Sequence, residues 1–136
     1  MRYNKLIVCT DVGARGNPGP AGIGAVFYDE NKNKIAEISK YIGIATNNQA
    51  EYRAVISALE KAKTLKVKEL EFYCDSELVV KQLKREYKVK NKELALLFVK
   101  AYNLILNYKK VSFTHIYREK NKEADKLANN AMDTNV

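Results

Sequence analysis

Apolar and polar positions change rhythm several times along the chain, and each change marks an element. Lys5-Leu-Ile-Val-Cys-Thr-Asp11 is apolar or nearly so until it stops at a carboxylate. A run that does not alternate belongs to a strand buried on both faces, so 5–11 is predicted as a central strand. Behind it, Val12 to Gly24 is rich in glycine and proline and predicts a stiff turn that brings backbone close to a ligand. Gly24 to Tyr28 resumes a strand. Asp29 to Asn33 reads as a polar hairpin turn, and Lys34 to Ile44 as a third strand with loose alternation through Ile35, Ile38 and Tyr41. Three strands joined by short turns predict an antiparallel meander.

Helical spacing begins at Thr46-Asn-Asn-Gln, with Thr46 or Asn47 as N-cap, and runs to about Lys63. Glu69 to Cys74 is a short strand. Asp75-Ser-Glu opens a second helix to about Lys84, and Arg85 to Asn91 is a basic connector. Lys92 to Tyr108 places Leu94, Leu97, Phe98, Ala101 and Ile105 on one stripe. Val111 to Tyr117 is a fifth strand, and Lys122 to Met132 a closing helix. This order predicts an α/β fold spanning 1–136 as one domain. Its five-stranded mixed sheet has three antiparallel strands first, with helices on both faces.

A chain of 136 residues buries roughly two-thirds of its unfolded surface, enough for one core. No apolar run nears the ~20 residues of a membrane span, and the N-terminus lacks a signal-peptide core, so a cytoplasmic setting is expected. Charge adds a direction. The 24 Lys and Arg against 16 Asp and Glu leave +8, which favours a polyanionic partner, nucleic acid before a membrane surface. Cys9 and Cys74 lack C-x-x-C spacing and read as small core residues; a cytosolic setting argues against their pairing. The single His115 excludes a multi-histidine zinc site.

Four carboxylates stand where each has two readings. Asp11, at the end of a buried strand, needs a cation or several donors. On a helical wheel of about 100° per residue, Glu51 falls on the line of Val55, Ala58 and Ala62, facing inward; the alternative is a capping or dipole role in the first turn. Asp75, between strand and helix, reads alone as an N-cap. Asp125 borders the Ala124, Leu127, Ala128 and Ala131 face and reads alone as a solvated residue. Together they change the picture. Sites in open α/β sheets lie outside the carboxyl ends of strands, and a carboxylate set without His or Cys suits Mg²⁺ or Mn²⁺. Paired divalent ions hydrolyse phosphodiesters, so acidic residues inside a basic protein point to a metal-dependent nuclease.

At this point whole motifs become recognisable. Thr10-Asp11 with Arg15-Gly-Asn-Pro-Gly-Pro-Ala-Gly22, then Thr46-Asn-Asn-Gln-Ala-Glu51, Asp75-Ser-Glu-Leu-Val, and Arg118 to Asn129 around Asp125 resemble, in order, the four blocks of type 1 ribonuclease H. The resemblance implies a ribonuclease H-like fold and endonucleolytic cleavage of the RNA strand of RNA–DNA hybrids, leaving 5′-phosphate and 3′-hydroxyl ends. It implies that Asp11, Glu51, Asp75 and Asp125 are catalytic and bind two Mg²⁺ ions, with Mn²⁺ as an alternative. It implies that Asn17, Asn47 and Asn48 line the hybrid's minor groove and that Thr46 meets a DNA phosphate. Nothing in the pattern calls for an obligate dimer, and a monomer is expected. Non-catalytic hybrid binding is the alternative from another class.

The chain departs from the family pattern in three places. Val12 stands where Gly usually follows the first Asp. The loop Tyr117 to Asn121 has no His, and His115 falls inside a predicted strand as a core or edge residue. This short loop resembles that of archaeal-like members, some of which also cut RNA–RNA duplexes. The segment Lys81 to Lys92 is basic but too short for the tryptophan-bearing handle of other members, leaving a solvated helix end or a phosphate-contacting ridge as its two readings.

Overall fold

The computed structural model describes residues 3–134. The elements follow as β1 (Tyr3–Ala14), β2 (Gly19–Tyr28), β3 (Lys34–Ala45), α1 (Asn47–Thr64), β4 (Val67–Cys74), α2 (Glu77–Leu83), α3 (Lys92–Ile105), β5 (Lys110–His115) and α4 (Lys122–Thr134). A 3-10 turn, Arg118–Lys120, precedes α4. The five strands form one sheet in the order β3-β2-β1-β4-β5. β2 runs antiparallel to both β1 and β3, whereas β1, β4 and β5 run parallel. The mixed α/β architecture is the one the sequence predicts.

β1 is the central strand, but its burial alternates where the sequence predicts none: Leu6 and Val8, on one face, are inaccessible to solvent, whereas Ile7 and Cys9, on the other, are only partly buried. Leu6 and Val8 join Phe27, Leu70 and Phe72 from neighbouring strands and Tyr52, Val55 and Leu59 from α1 in the main core. Phe72 and Phe113 stack at 5.2 Å between centroids, fixing β4 to β5. Burying each such large side chain stabilises the fold by about 1.5–3 kcal/mol relative to exposure. One polar pair enters this core, the Tyr52 hydroxyl donating to Gln82 Oε1 at 2.7 Å. It ties α1 to α2. Both groups are buried, so each needs the other.

The predicted glycine turn is mostly strand. β1 runs on to Ala14 and β2 begins at Gly19, leaving only residues 15–18 as the turn. The physical reason lies on the face away from α1. A side chain at Gly24 would run into the carbonyl of Ala124, one at Gly22 into that of Ala128, and one at Gly13 into Met132. These glycines let α4 lie directly on the sheet, which is one meaning of glycine inside a strand. Composition signals a turn there; close packing of a helix explains it.

Cys9 and Cys74 are both free thiols. Their strands pair in a register that sets Cys9 beside Tyr73 and Thr10 beside Cys74, so the two thiols point to opposite faces of the sheet. Among the described residues no helix is long and apolar enough to cross a membrane.

Candidate metal centre and nucleic-acid interface

Strand direction brings the carboxylates together. β3 is antiparallel to β2, which is antiparallel to β1, so β1, β3, β4 and β5 all end at the same edge of the sheet. The last parallel pair between β1 and β4 is Thr10 with Cys74, and Asp11 and Asp75 are the next residues on each strand. β3 leads into α1, which carries Glu51; β5 leads through the 3-10 turn into α4, which carries Asp125.

Asp11 is fully buried, Glu51 is 6% exposed, and Asp75 is half-buried. Each offers a carboxylate oxygen within 4.8 Å of the others. The Asp75 alternative is resolved by its neighbour: Ser76 is the N-cap of α2, its hydroxyl accepting from the Val79 N–H at 3.3 Å. The Glu51 alternative is resolved likewise. Thr46 caps α1 and Gln49 closes the capping box, while Glu51 shares the buried face with Val55, Ala58 and Ala62.

Asp125 lies outside this trio but beside Asp11, half-buried, with Asn129 Nδ2 donating to its Oδ2 at 3.4 Å.

Asp11 is the electrostatic centre. Its two oxygens are buried without a hydrogen bond of ordinary geometry. Burial pushes its pKa up to about 9; the Asp75 charge and the carboxyls of Asp125 and Asp75 push in the same direction, and only the Val12 amide opposes them. So many carboxylates in so little space repel unless a proton or a cation sits between them. Oxygen-only donors are the ligand set that hard divalent cations take, and the trio with its orphaned Asp11 oxygens fits such an ion.

The expected nucleic-acid residues surround the end of α1. Asn17, exposed in the β1–β2 turn, accepts from the Asn47 N–H at 3.0 Å, clamping the turn to the helix. Asn17, Thr46 and Asn48 line an open polar pocket of about 270 Å³ with Gln49, Asn91, Glu93 and Leu94. Asn47 does not line it. Asn91 and Glu93 belong to this surface although sequence reasoning missed them. Asn91 is also the N-cap of α3, its Oδ1 accepting from the Leu94 N–H at 3.0 Å, and that capping signature was the only clue.

Sequence reasoning also missed Asn121, 2% exposed, whose Nδ2 donates to the Thr10 carbonyl at 2.6 Å. Its signal was an Asn just before a helix. His115 is half-buried at the end of edge strand β5, its ring edge-on to Tyr117 at 5.6 Å.

The basic connector is ordered by ring contacts. The Lys81 ammonium lies 5.1 Å from the Tyr87 ring centroid and the Arg85 guanidinium 5.7 Å from that of Tyr102. Lys84, Lys88 and Lys90 are exposed alongside.

Comparisons with known proteins agree with this geometry. A family model described as reverse transcriptase-like matches residues 9–131. The bifunctional protein Rv2228c of Mycobacterium tuberculosis is 42% identical over 130 residues, covering 95% of this chain and 36% of that protein. The chain thus spans about a third of the length of that curated relative. The crystal structure of RNase H1 from the halophilic archaeon Halobacterium salinarum superposes with a TM-score of 0.93 at 40% identity, covering 96% of this chain and 99% of that one. LC11-RNase H1, solved in complex with an RNA/DNA hybrid, gives a TM-score of 0.90 at 47% identity, covering 95% and 97%. By motif order, fold and these likenesses, the chain belongs to the type 1 ribonuclease H family.

Proposed function

We propose that the chain is a metal-dependent endoribonuclease that hydrolyses the RNA strand of RNA–DNA hybrids, leaving 5′-phosphate and 3′-hydroxyl ends. The observation that carries this reading is the Asp11, Glu51 and Asp75 trio, with Asp125 beside Asp11, at the sheet edge where four strands end. The hybrid bound to LC11-RNase H1 supports the substrate class.

Asp11, Glu51, Asp75 and Asp125 would hold two Mg²⁺ ions, which supply activation of the attacking water and stabilisation of the departing 3′-oxygen. The protein's own groups do the rest. Asp11, shielded from solvent, keeps its charge aimed at one point. The buried wall behind it restricts bulk water to the open side. Asn17, Asn47 and Asn48 carry amides that can donate to and accept from a 2′-hydroxyl or a base edge without sequence choice. Thr46, at the head of α1, suits a phosphate, since it stands at the positive end of the helix dipole.

Labelled RNA–DNA, RNA–RNA and DNA–DNA duplexes incubated with the protein and Mg²⁺ separate the alternatives. Cleavage of the RNA strand of the hybrid, lost in Asp11→Asn, is expected. Hybrid binding without turnover across Mg²⁺, Mn²⁺ and pH would make the chain a binding module. Cleavage of RNA–RNA duplexes would widen the substrate range.

A further inference from the structure

We infer that Asn121 is a positioning residue that holds Asp11 and Asp125 at a common distance against their mutual repulsion; this rests on the metal-site reading above. Asn121 precedes α4, and its carbonyl accepts the N–H of Asp125 at 3.1 Å. Its side-chain Nδ2 donates to the carbonyl of Thr10 at 2.6 Å. That carbonyl belongs to the peptide plane leading into Asp11. One residue therefore grips both carboxylate-bearing backbones, at the Asp125 amide itself and at the carbonyl just before Asp11.

The chain of contacts continues to the third carboxylate. The Thr10 hydroxyl donates to Cys74 Sγ at 3.1 Å, and Cys74 immediately precedes Asp75. The Cys74 carbonyl in turn accepts the Ile116 N–H at 2.9 Å, at the start of the loop that returns to Asn121. Thr10 and Cys74 are fully buried and Asn121 nearly so, so this relay runs under the metal centre out of reach of water. Asp11, Asp75 and Asp125 are thus referred to one another through neighbours that bear no charge.

The unusual feature is the other half of the Asn121 amide. Asn before a helix ordinarily turns its oxygen to cap the first N–H groups. Here Oδ1 is buried and has no hydrogen-bond partner, because the side chain is turned to give its NH₂ to the strand. A buried acceptor left without a donor destabilises a fold. An apolar residue of the same size would avoid that cost. What the amide adds is the tie to Thr10. Groups that orient ligands in this way typically change metal affinity by tenfold to a hundredfold when removed.

The test uses Asn121→Leu, close in size and free of both donor and orphaned acceptor, with Asn121→Ala beside it. Three quantities are read: the melting temperature without metal, Mg²⁺ affinity by calorimetry, and kcat and KM on a hybrid. The expected result is a Mg²⁺ affinity lowered about tenfold or more and a lowered kcat, with the KM for hybrid and the metal-free melting temperature of Asn121→Leu near wild type. A Mg²⁺ affinity within twofold of wild type overturns the inference, whatever happens to stability. Failure of both variants to fold also overturns it, since Asn121 would then be a requirement of the fold. Wild-type protein that binds no Mg²⁺ overturns the metal reading itself, a separate outcome.

Discussion

Gly24 lies opposite Asp11 in the β1–β2 pair, and the carbonyl of Ala124 on α4 fills the space that a side chain at Gly24 would need. The depth at which α4 sits on the sheet, and with it the reach of Asp125, is set by that missing side chain. Gly24→Ala should lift α4 and cost about 1–3 kcal/mol, as overpacking of a tight contact does. Thermal unfolding without metal checks the stability loss. Because Asp125 rides on the same helix, the Mg²⁺ concentration for half-maximal cleavage should rise in the same variant.

Asp11 makes the metal-free protein pH-sensitive in a stated direction. Its pKa is pushed up to about 9 in the folded state from an ordinary value of 3.8. Between those values the native protein holds a proton that the unfolded chain has released. The stabilisation from this proton is complete below about pH 4 and is lost as pH rises through about 9. The slope is at most about 1.4 kcal/mol per pH unit, shared among the coupled carboxyls. Urea denaturation in chelator from pH 5 to 9 should therefore show falling stability for wild type and a flatter profile for Asp11→Asn. At the alkaline end Asp11→Asn should be the more stable protein.

The same proton must leave when a cation arrives. Mg²⁺ binding near pH 7 should release about one proton, since metal ligands bind deprotonated. Calorimetry in two buffers of different ionisation enthalpy measures it directly. A binding heat that does not depend on buffer would contradict the raised pKa.

Thr46 has two duties that substitution can separate. Its hydroxyl accepts from the Gln49 N–H at 3.1 Å, and Gln49 Oε1 accepts from the Thr46 N–H at 2.9 Å. Thr46→Ala should cost about 1 kcal/mol of stability by removing the cap, whereas Thr46→Ser should keep it. On the proposed reading Thr46→Ala should also raise the KM for hybrid, and Thr46→Ser should not.

The basic connector should act through charge and little else. Lys88→Ala and Lys90→Ala are at exposed positions and should leave the melting temperature unchanged. If the segment is a phosphate-contacting ridge, each should reduce the slope of log affinity for hybrid against log salt by about one. An unchanged slope in both assigns the segment to plain solvated surface.

How much of this was legible in the sequence depends on the distance over which each feature is decided. Glu51 could be placed inward because a helix fixes its own faces, and Val55, Ala58 and Ala62 lie on the same line within three turns. Asp11 could be singled out because a carboxylate that closes an apolar run is a local anomaly, although β1 itself continues past it to Ala14. Gly13 and Gly22 could not be read as strand residues, because what forbids a side chain there is a helix about a hundred residues later. Asn121 was invisible for the same reason, its partner Thr10 being 111 residues away. Asp125 was found by its motif, whereas its place beside Asp11, outside the tight trio, follows only from how α4 docks. Local periodicity reveals which groups are inward; only packing reveals how far inward.

The order in which the chain is made gives the last helix a particular standing. β1 through β5 supply a complete sheet and three of the proposed ligands, yet both Asn121 and Asp125 arrive only with the loop and helix that follow β5. A nascent chain that has emerged through β5 would be able to expose Asp11, Glu51 and Asp75 together but could not hold the fourth carboxylate against them. On the reading proposed above, the ability to cut RNA begins only when α4 settles onto its glycines.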